Sequence, residues 1–274
     1  MVEHSFEDIL YEKRNGVATV TINRPQRMNA GRHQTYQEMN HALDEAEADP
    51  GVRVVVLTGA GRGFCSGDDV QDIFLAEASK AEDKKAERTQ GRLRSLAGKG
   101  RSGVDRIMFM DKPTIAAVNG AAVGYGMDIA LFCDIRIASD KARFGELFVR
   151  RGLMGDAGAM VILQRLVGLG KAYELVLTGE IIDAPEALRI GLVNYVVPHE
   201  ELPAHTLEMA RKLAAAAPLG QLMSKQGIRR AMGLDIERFL EWQGTAQNLL
   251  LQTEDHVEGA RSFVEKREPQ FKGR

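Results

Sequence analysis

The sequence predicts an α/β fold. Over the first two thirds of the chain, short strand-like runs alternate with helix-like runs, and strands separated by helices require crossover connections. The runs at 52–58 and 113–118 are β-branched and nearly uncharged, which is typical of strands covered on both faces. After Gly152 the pattern becomes predominantly helical. We therefore expect a core with parallel strands, followed by a helical C-terminal region.

The individual elements follow in order from these patterns. We predict strands at 17–23, 52–58, 115–118 and 134–138, with helices at 36–48 and 126–132 between them. In the C-terminal region we predict helices at 157–167, 171–177, 184–190, 200–217, 219–232 and 236–253. Pro218 and Gly233 separate the last three helices, because proline and glycine interrupt helical structure.

Length and composition are those of an ordinary globular protein. The chain has 274 residues, of which 44% are hydrophobic and 27% charged, enough for one large domain or for a domain with a smaller appendage. A net charge of -2 gives no general attraction to nucleic acid or to anionic membranes. Two cysteines cannot build a disulfide framework, and the first residues show no targeting pattern. We expect a cytoplasmic protein without membrane spans or a metal site.

Two glycine-rich segments each follow a predicted strand. They are 63–69 (GFCSGDD) and 119–128 (NGAAVGYGMD). Glycine lets the main chain approach a ligand closely, and a helix that begins after such a turn adds a positive dipole end. Together the two segments indicate the two halves of an oxyanion hole. A dinucleotide site is disfavoured, because Ile129 and Phe148 occupy the positions of its third glycine and its acidic residue.

Motifs along nearly the whole chain resemble those of the crotonase (enoyl-CoA hydratase/isomerase) family. They lie at 17–30 (VATVTINRPQRMNA), 54–70, 112–145, 152–158, 177–197 and 258–274. The resemblance implies a spiral of repeated ββα units over residues 1–200 and a helical C-terminal segment over 201–274 that joins subunits into homotrimers or hexamers. It also implies an acyl-CoA substrate of fatty acid metabolism, with coenzyme A as part of the substrate and no further cofactor.

The resemblance assigns the oxyanion hole to the main-chain NH groups of Asp68 and Tyr125. It assigns proton transfer to Asp128, which matches the form found in dienoyl-CoA isomerases, and to Asp156, where double-bond isomerases of the family place a proton-shuttling aspartate. Each aspartate also has a purely structural interpretation. Asp128 could be an acidic residue that stabilises the first turn of a helix, and Asp156 could be a helix N-cap.

Double-bond isomerisation of an enoyl-CoA is the favoured interpretation, and hydration by a lyase is the alternative close behind it. Phe148 stands where hydratases have their second carboxylate, although hydration needs two proton-transferring groups. If the segment is extended, Glu146 points to the same face but about 7 Å away, so that it could serve only a shifted substrate. A CoA-thioester hydrolase or ring-opening enzyme on the same oxyanion hole stays open.

The resemblance also indicates residues that contact the substrate outside the reacting centre. The residues indicated for coenzyme A are Arg27, Met28, Ala30, Ser66, Asp69, Val70, Phe271 and Lys272, the last two acting in this subunit or in a neighbouring one. Phe74, Leu75, Met108, Phe109 and Met110 are candidates either for the acyl pocket or for ordinary core.

Residues 80–106 hold nine Lys or Arg residues against four Asp or Glu residues, and four glycines interrupt the stretch. Such a segment is typical of a mobile surface lid. Contact with the CoA phosphates is a second interpretation, and RNA binding, as in one relative of the family, is a remote third. Because no aromatic side chain lies there to stack on bases, we expect no nucleic-acid partner.

Overall fold

A computed structural model of the chain describes residues 6–75, 105–155 and 158–274. In this part of the chain a long sheet has the strand order β1-β2-β3-β5-β7-β10. Its strands are β1 (Ile9–Arg14), β2 (Val17–Ile22), β3 (Val54–Gly59), β5 (Thr114–Val118), β7 (Ile135–Ser139) and β10 (Tyr195–Val197). β1 pairs antiparallel with β2, and every following pair is parallel.

A second, smaller sheet has the order β4-β6-β8-β9. Its strands are β4 (Gly63–Cys65), β6 (Ala121–Val123), β8 (Arg143–Gly145) and β9 (Ile182–Asp183). β4, β6 and β8 are parallel, and β9 is antiparallel to β8. Consecutive strands alternate between the sheets, so that β3-β4, β5-β6 and β7-β8 each add one strand to both. This stacking confirms the predicted spiral of ββα units.

Helices follow the strand pairs and fill the C-terminal region. The α-helices of the described residues are α1 (His33–Ala48), α2 (Asp105–Phe109), α3 (Tyr125–Phe132), α4 (Ala159–Val167), α5 (Leu169–Thr178), α6 (Ala184–Arg189), α7 (Leu202–Ala215), α8 (Pro218–Ala231), α9 (Ile236–Leu250) and α10 (Glu254–Glu265). Short 3-10 helices lie at Pro25–Arg27, Leu147–Arg151 and His199–Glu201, and a π-helix lies at Val70–Leu75. Within these ranges, no helix has the length and apolar character required to cross a bilayer.

The core has two layers, one on each face of the long sheet. The larger layer contains side chains of α1, α3 and both sheets, such as Leu43, Leu131 and Phe64. The smaller layer packs Leu202 and Ala210 of α7 against the valines and isoleucines on the other face of β3, β5 and β7. Because α7 lies directly on the sheet, it connects the helical C-terminal region to the strand core.

Candidate active site

The two glycine-rich segments lie side by side in the structure. β4 and β6 are parallel neighbours, with Gly63 opposite Ala121 and Cys65 opposite Ala122, so the turns that follow them leave the same edge of the small sheet. Gly67 has a φ of +89°, and a Cβ built on it would lie 2.9 Å from the carbonyl oxygen of Val123 and 3.6 Å from the amide nitrogen of Tyr125. The structure thus brings together the two turns that carry Asp68 and Tyr125.

The second turn leads directly into α3. Gly124 has a φ of +55° and precedes the first residue of the helix. A Cβ at Gly126 would lie 2.0 Å from the carbonyl oxygen of Cys65, so only glycine lets the start of α3 pack so closely on β4. The positive end of the α3 dipole therefore lies against the first turn, where it favours negative charge.

The first turn is held in part by a tyrosine that the sequence analysis did not identify. The hydroxyl of Tyr36, on α1, donates a hydrogen bond of 2.6 Å to Oδ1 of Asp68. The ring of Tyr36 packs edge-on against the ring of Tyr125, with 4.7 Å between the centroids. Gly31 and Asp68 also form an isolated parallel β-bridge. Tyr36 therefore contacts both residues whose NH groups are the candidate oxyanion donors.

The loop after β2 supplies further support, again from residues that the sequence analysis missed. Asn29 is fully buried, accepts a hydrogen bond from the Arg24 amide, and donates to the carbonyl oxygens of Ala60 and Gly63. The buried guanidinium of Arg24 lies 3.3 Å from the carboxylate of Asp69 and donates to the carbonyl oxygen of Ala30. The signal that could have found both residues is a polar side chain in a short loop next to a glycine turn.

Two buried carboxylates lie next to the second turn. Asp128 is fully buried in the first turn of α3, and its amide nitrogen donates to the carbonyl oxygen of Gly124. Glu146 is 3% exposed and directly follows Gly145, whose carbonyl oxygen accepts a 2.8 Å hydrogen bond from the amide of Gly124. Because β6 pairs with β8, Glu146 lies beside the Gly124 turn. Asp128 lies in the first turn of the helix that follows Gly124.

The expected extended geometry of Glu146 and Phe148 is wrong. A 3-10 helix, Leu147–Arg151, begins immediately after Glu146, so the two side chains do not follow the two-residue repeat of a strand. The ring of Phe148 lies 4.0 Å from a Cβ built on Gly124 and 3.8 Å from one built on Gly155. The ring of Phe148 therefore packs against the second turn. The carboxylate of Glu146 is buried and does not follow the direction of that ring.

Cys65 lies between the two turns but is not suited to nucleophilic chemistry. Complete burial, together with the negative charges of Asp68 and Asp128, raises the pKa of the Cys65 thiol to about 12. The thiol therefore stays protonated at neutral pH, whereas a nucleophilic cysteine needs a thiolate. Within the described ranges, no cluster of three or more His, Cys, Asp or Glu side chains could hold a metal ion.

Asp156, the predicted proton shuttle, lies outside the described residues, as do residues 80–104 of the basic stretch. The side chains of Phe74 and Leu75, two candidates for the acyl pocket, are not described either. Of the remaining candidates, Met110 is 4% exposed and belongs to the main core. The roles predicted for Asp156, for the basic stretch and for Phe74 and Leu75 therefore stay predictions.

Most of the candidate CoA residues are brought together. Ser66 donates from its amide to the carbonyl oxygen of Met28 at 3.2 Å, and its hydroxyl donates to the carbonyl oxygen of Arg27 at 3.4 Å. Ala30 and Asp69 are joined through Arg24, as described above, and Val70 is 39% exposed at the start of the π-helix. The loop after β2 and the first turn thus pack against each other as one contiguous cluster.

Phe271 and Lys272 are held elsewhere in this chain. The carbonyl oxygen of Phe271 accepts a hydrogen bond from Arg53, which directly precedes β3, and the amide of Lys272 donates to the Asp255 carboxylate at 2.6 Å. The glycine turns follow strands at their carboxyl ends, whereas Arg53 lies at the amino end of its strand. The structure does not bring these two residues into the cluster formed by the turns.

Comparisons with known proteins agree with this architecture. The chain matches the family model for enoyl-CoA hydratase/isomerase over residues 12–274. It is 41% identical over 268 residues to the short-chain-enoyl-CoA hydratase of Clostridium acetobutylicum, with 97% of this chain and 98% of the relative covered. It is 35% identical over 270 residues to the 1,2-epoxyphenylacetyl-CoA isomerase of Escherichia coli, with 98% and 99% covered.

A solved structure gives the same result. The enoyl-CoA hydratase of Bacillus anthracis has a TM-score of 0.86 at 30% identity, and the match covers 98% of this chain and 100% of that one. The similarity therefore extends over both sheets and the helical C-terminal region. On the sequence match and the fold together, the chain belongs to the enoyl-CoA hydratase/isomerase family and is an enzyme of the crotonase type.

Proposed function

We propose that this enzyme hydrates a 2-enoyl-CoA thioester, with Asp128 and Glu146 as its two proton-transferring groups. The observation that carries the proposal is a pair of buried carboxylates, Asp128 and Glu146, in two segments whose main chains are hydrogen-bonded to Gly124. The 3-10 helix that begins at Leu147 matters here. Because of it, Glu146 and Phe148 do not have the extended geometry that argued against a catalytic role for Glu146. The 41% identity to a protein named a short-chain-enoyl-CoA hydratase supports the same choice.

The chemistry requires stabilisation of one charge and movement of two protons. Water adds its oxygen to C3 of the double bond, and the electrons move onto the thioester oxygen to give an enolate. In this proposal the NH groups of Asp68 and Tyr125, with the amino end of α3, stabilise that charge. One carboxylate accepts the proton of water and the other delivers a proton to C2, which gives the 3-hydroxyacyl-CoA. The reaction is redox-neutral and needs no cofactor beyond the coenzyme A of the substrate.

Double-bond isomerisation is the second candidate. The ring of Phe148, which cannot transfer a proton, lies against Gly124. An isomerase needs only one carboxylate that removes a proton at one carbon and returns it at another. Asp156 would be that carboxylate, with Asp128 as its partner. The 35% identity to a protein named 1,2-epoxyphenylacetyl-CoA isomerase favours this candidate.

The test is incubation of the enzyme with straight-chain, aromatic and alicyclic enoyl-CoAs in D₂O. A 3-hydroxy product formed from a 2-enoyl-CoA supports hydration. Deuterium at the α or γ carbon without a new hydroxyl group supports isomerisation instead. Glu146→Gln should abolish hydration and leave isomerisation intact, whereas Asp156→Asn should do the reverse. Hydration that survives Glu146→Gln at the wild-type rate would remove Glu146 from the mechanism.

The predicted homotrimer or hexamer remains part of this proposal. Leu240, Phe263 and Val264 on α9 and α10 are 56%, 86% and 79% exposed in the single chain. Exposed apolar side chains of this size are typical of subunit interfaces. In such an assembly the tail could carry Phe271 and Lys272 to a neighbouring subunit. Light scattering of the purified protein would measure the number of subunits.

A further inference from the structure

The first turn contains a residue whose side chain opposes the role of its main chain. The NH of Asp68 is the proposed donor to a negatively charged oxygen, yet the same residue carries a carboxylate. Two negative charges a few ångströms apart repel each other, and the repulsion grows where water is excluded. A carboxylate that turned freely here would raise the energy of the enolate. Something has to fix where that charge lies.

Tyr36 is placed to do so. Its hydroxyl donates to Oδ1 of Asp68 over 2.6 Å, a short bond of the charge-assisted kind. Burial, with the nearby Cys65 and Asp68, raises the pKa of Tyr36 well above its usual range, so the hydroxyl keeps the proton that it donates. The ring meets the ring of Tyr125 edge-on at 70°, which fixes its direction.

Gly31 provides the space that this hydroxyl occupies. A Cβ built on Gly31 would lie 2.3 Å from the Tyr36 oxygen and 2.4 Å from the carbon that bears it. The amide of Gly31 donates to the carbonyl oxygen of Gly67, and its carbonyl oxygen accepts from the amide of Asp69, both at 2.8 Å. Any side chain at Gly31 would therefore displace the hydroxyl from Asp68 while the β-bridge holds the backbone in place.

Resting on the proposed enolate chemistry, we propose that Tyr36 is a positioning residue that holds the Asp68 carboxylate against α1 and weakens its negative field at the thioester oxygen. Tyr36 itself touches neither water nor substrate carbon in this mechanism. It acts through Asp68 and is needed most when the oxygen is most negative. Its loss should therefore slow the chemical step more than it weakens substrate binding.

The experiment is a double-mutant cycle with Tyr36→Phe, Asp68→Asn and the pair. Tyr36→Phe should lower kcat about 10- to 100-fold with KM changed less than about threefold, because the enolate alone is affected. In the Asp68→Asn background, which has no carboxylate charge, adding Tyr36→Phe should lower kcat by less than about threefold. Tyr11→Phe is the matched control, since the buried Tyr11 hydroxyl lies outside the site, and it should keep the wild-type kcat.

A binding measurement gives a second readout that needs no turnover. Acetoacetyl-CoA can bind as its enolate, whose ultraviolet absorbance differs from that of the keto form. The wild-type enzyme should raise the enolate fraction of the bound ligand, and Tyr36→Phe should reduce that increase. Gly31→Ala, which displaces the same hydroxyl, should reduce it in the same way.

Two outcomes would overturn the proposal. One is a Tyr36→Phe enzyme with the wild-type kcat and enolate fraction. The other is an equal loss of kcat whether Tyr36→Phe is made in the wild-type enzyme or in the Asp68→Asn background, which would mean that Tyr36 acts only by packing. Both presuppose an active wild-type enzyme. If the wild-type enzyme neither hydrates nor isomerises any enoyl-CoA, the proposed function has failed instead, and the two failures are distinguishable.

Discussion

The two glycine turns have the same proposed role, donation of a main-chain NH to the thioester oxygen, but they are held in different ways. The first turn, residues 66–69, is braced by polar side chains from outside it, namely Tyr36 on Asp68, Arg24 on Asp69 and Asn29 on the adjacent Gly63. The second turn, residues 124–128, is held by close approach of main chains, where Gly126 meets the Cys65 carbonyl oxygen. The first turn depends on hydrogen bonds that can be removed one at a time, and the second turn depends on the absence of a side chain at Gly126.

This difference predicts different responses to mutation. Removal of one brace from the first turn leaves the others, so its effects should be graded. Addition of one methyl group to the second turn forces two main chains apart, so its effect should be abrupt. The proposed donors are main-chain NH groups, which only replacement by proline would remove directly. Their supports are the parts of the site that other substitutions can reach.

The largest effect is expected from Gly126→Ala. The new Cβ would lie 2.0 Å from the Cys65 carbonyl oxygen, and neither backbone can move without disturbing β4 or α3. We expect a loss of about 3 kcal/mol or more in the free energy of unfolding, because overpacking against backbone cannot relax as a side chain does. Urea denaturation measures the loss, and turnover should fall with it.

Gly244→Ala is the matched control for Gly126→Ala. Gly244 also lies inside a helix, α9, but a Cβ there meets nothing within 4 Å. This substitution should raise the free energy of unfolding by up to about 1 kcal/mol, because alanine is a better helix former than glycine. If both alanine variants were equally stable, the second turn would not depend on close backbone approach.

A smaller, graded effect is expected from Asn29→Gly in the brace of the first turn. Asn29 has a φ of +58°, which glycine also adopts, so the change removes the side-chain hydrogen bonds without straining the backbone. The buried Arg24 amide and Ala60 carbonyl oxygen lose their partner, which should cost about 2 kcal/mol in the free energy of unfolding. Thermal and urea unfolding would measure the change.

Asn15→Gly is the matched control, because Asn15 has a φ of +52° but lies exposed in the hairpin turn between β1 and β2. Its replacement should change the free energy of unfolding by less than about 0.5 kcal/mol. Equal losses in the two glycine variants would show that backbone conformation, and not the side-chain brace, stabilises the loop after β2.

The sequence predicted β2, β3, β5 and β7, the glycine turns and most helices because those features are local, whereas the strands of the small sheet and β10, each two or three residues long, were not predicted. β5 and α3 lie close to their predicted positions, since a run of apolar or helix-forming residues marks each. β1 was not predicted, because its charged residues mask its alternation, although Asn15-Gly16 is a strong hairpin signal. α10 was missed as well, although Thr253 caps it through the amide of His256.

The braces of the first turn could not be predicted, because each depends on residues far apart in the chain. Tyr36 lies 32 positions before Asp68, and Arg24 lies 45 positions before Asp69. Nothing in the local pattern distinguishes Tyr36 from other tyrosines on amphipathic helices. The geometry of Glu146 was predicted wrongly for the opposite reason, because a local feature, the 3-10 helix that follows it, interrupts the strand.

The smallest effect concerns Asp8, which extends the brace of the first turn to the start of α1. Asp8 is buried, accepts hydrogen bonds from Arg32 at 2.7 Å and from Thr35 at 2.6 Å, and lies 3.7 Å from the guanidinium of Arg24. Burial raises the pKa of Asp8, but the hydrogen bonds from Arg32 and Thr35 and the positive charges of Arg32 and Arg24 together outweigh burial and lower the pKa below its ordinary value of 3.8.

A carboxyl group whose pKa is lowered on folding stabilises the folded state above its unfolded pKa and loses that contribution as the pH falls through the folded value. Asp8→Asn should therefore cost about 1 to 2 kcal/mol at pH 7, because it removes charge-assisted hydrogen bonds.

The difference in the free energy of unfolding between wild type and Asp8→Asn should stay constant from about pH 7 to 5 and shrink below about pH 4, since Asp8 then becomes protonated. Urea unfolding across this range measures it. Acidic groups far from Asp8 titrate equally in both proteins, so the difference isolates Asp8 and its neighbour Glu7, whose pKa the Asp8 charge raises. If the difference did not shrink in acid, Asp8 would contribute through packing and not through its charge. The charged contacts of Asp8 would then stabilise the first turn less than their distances indicate.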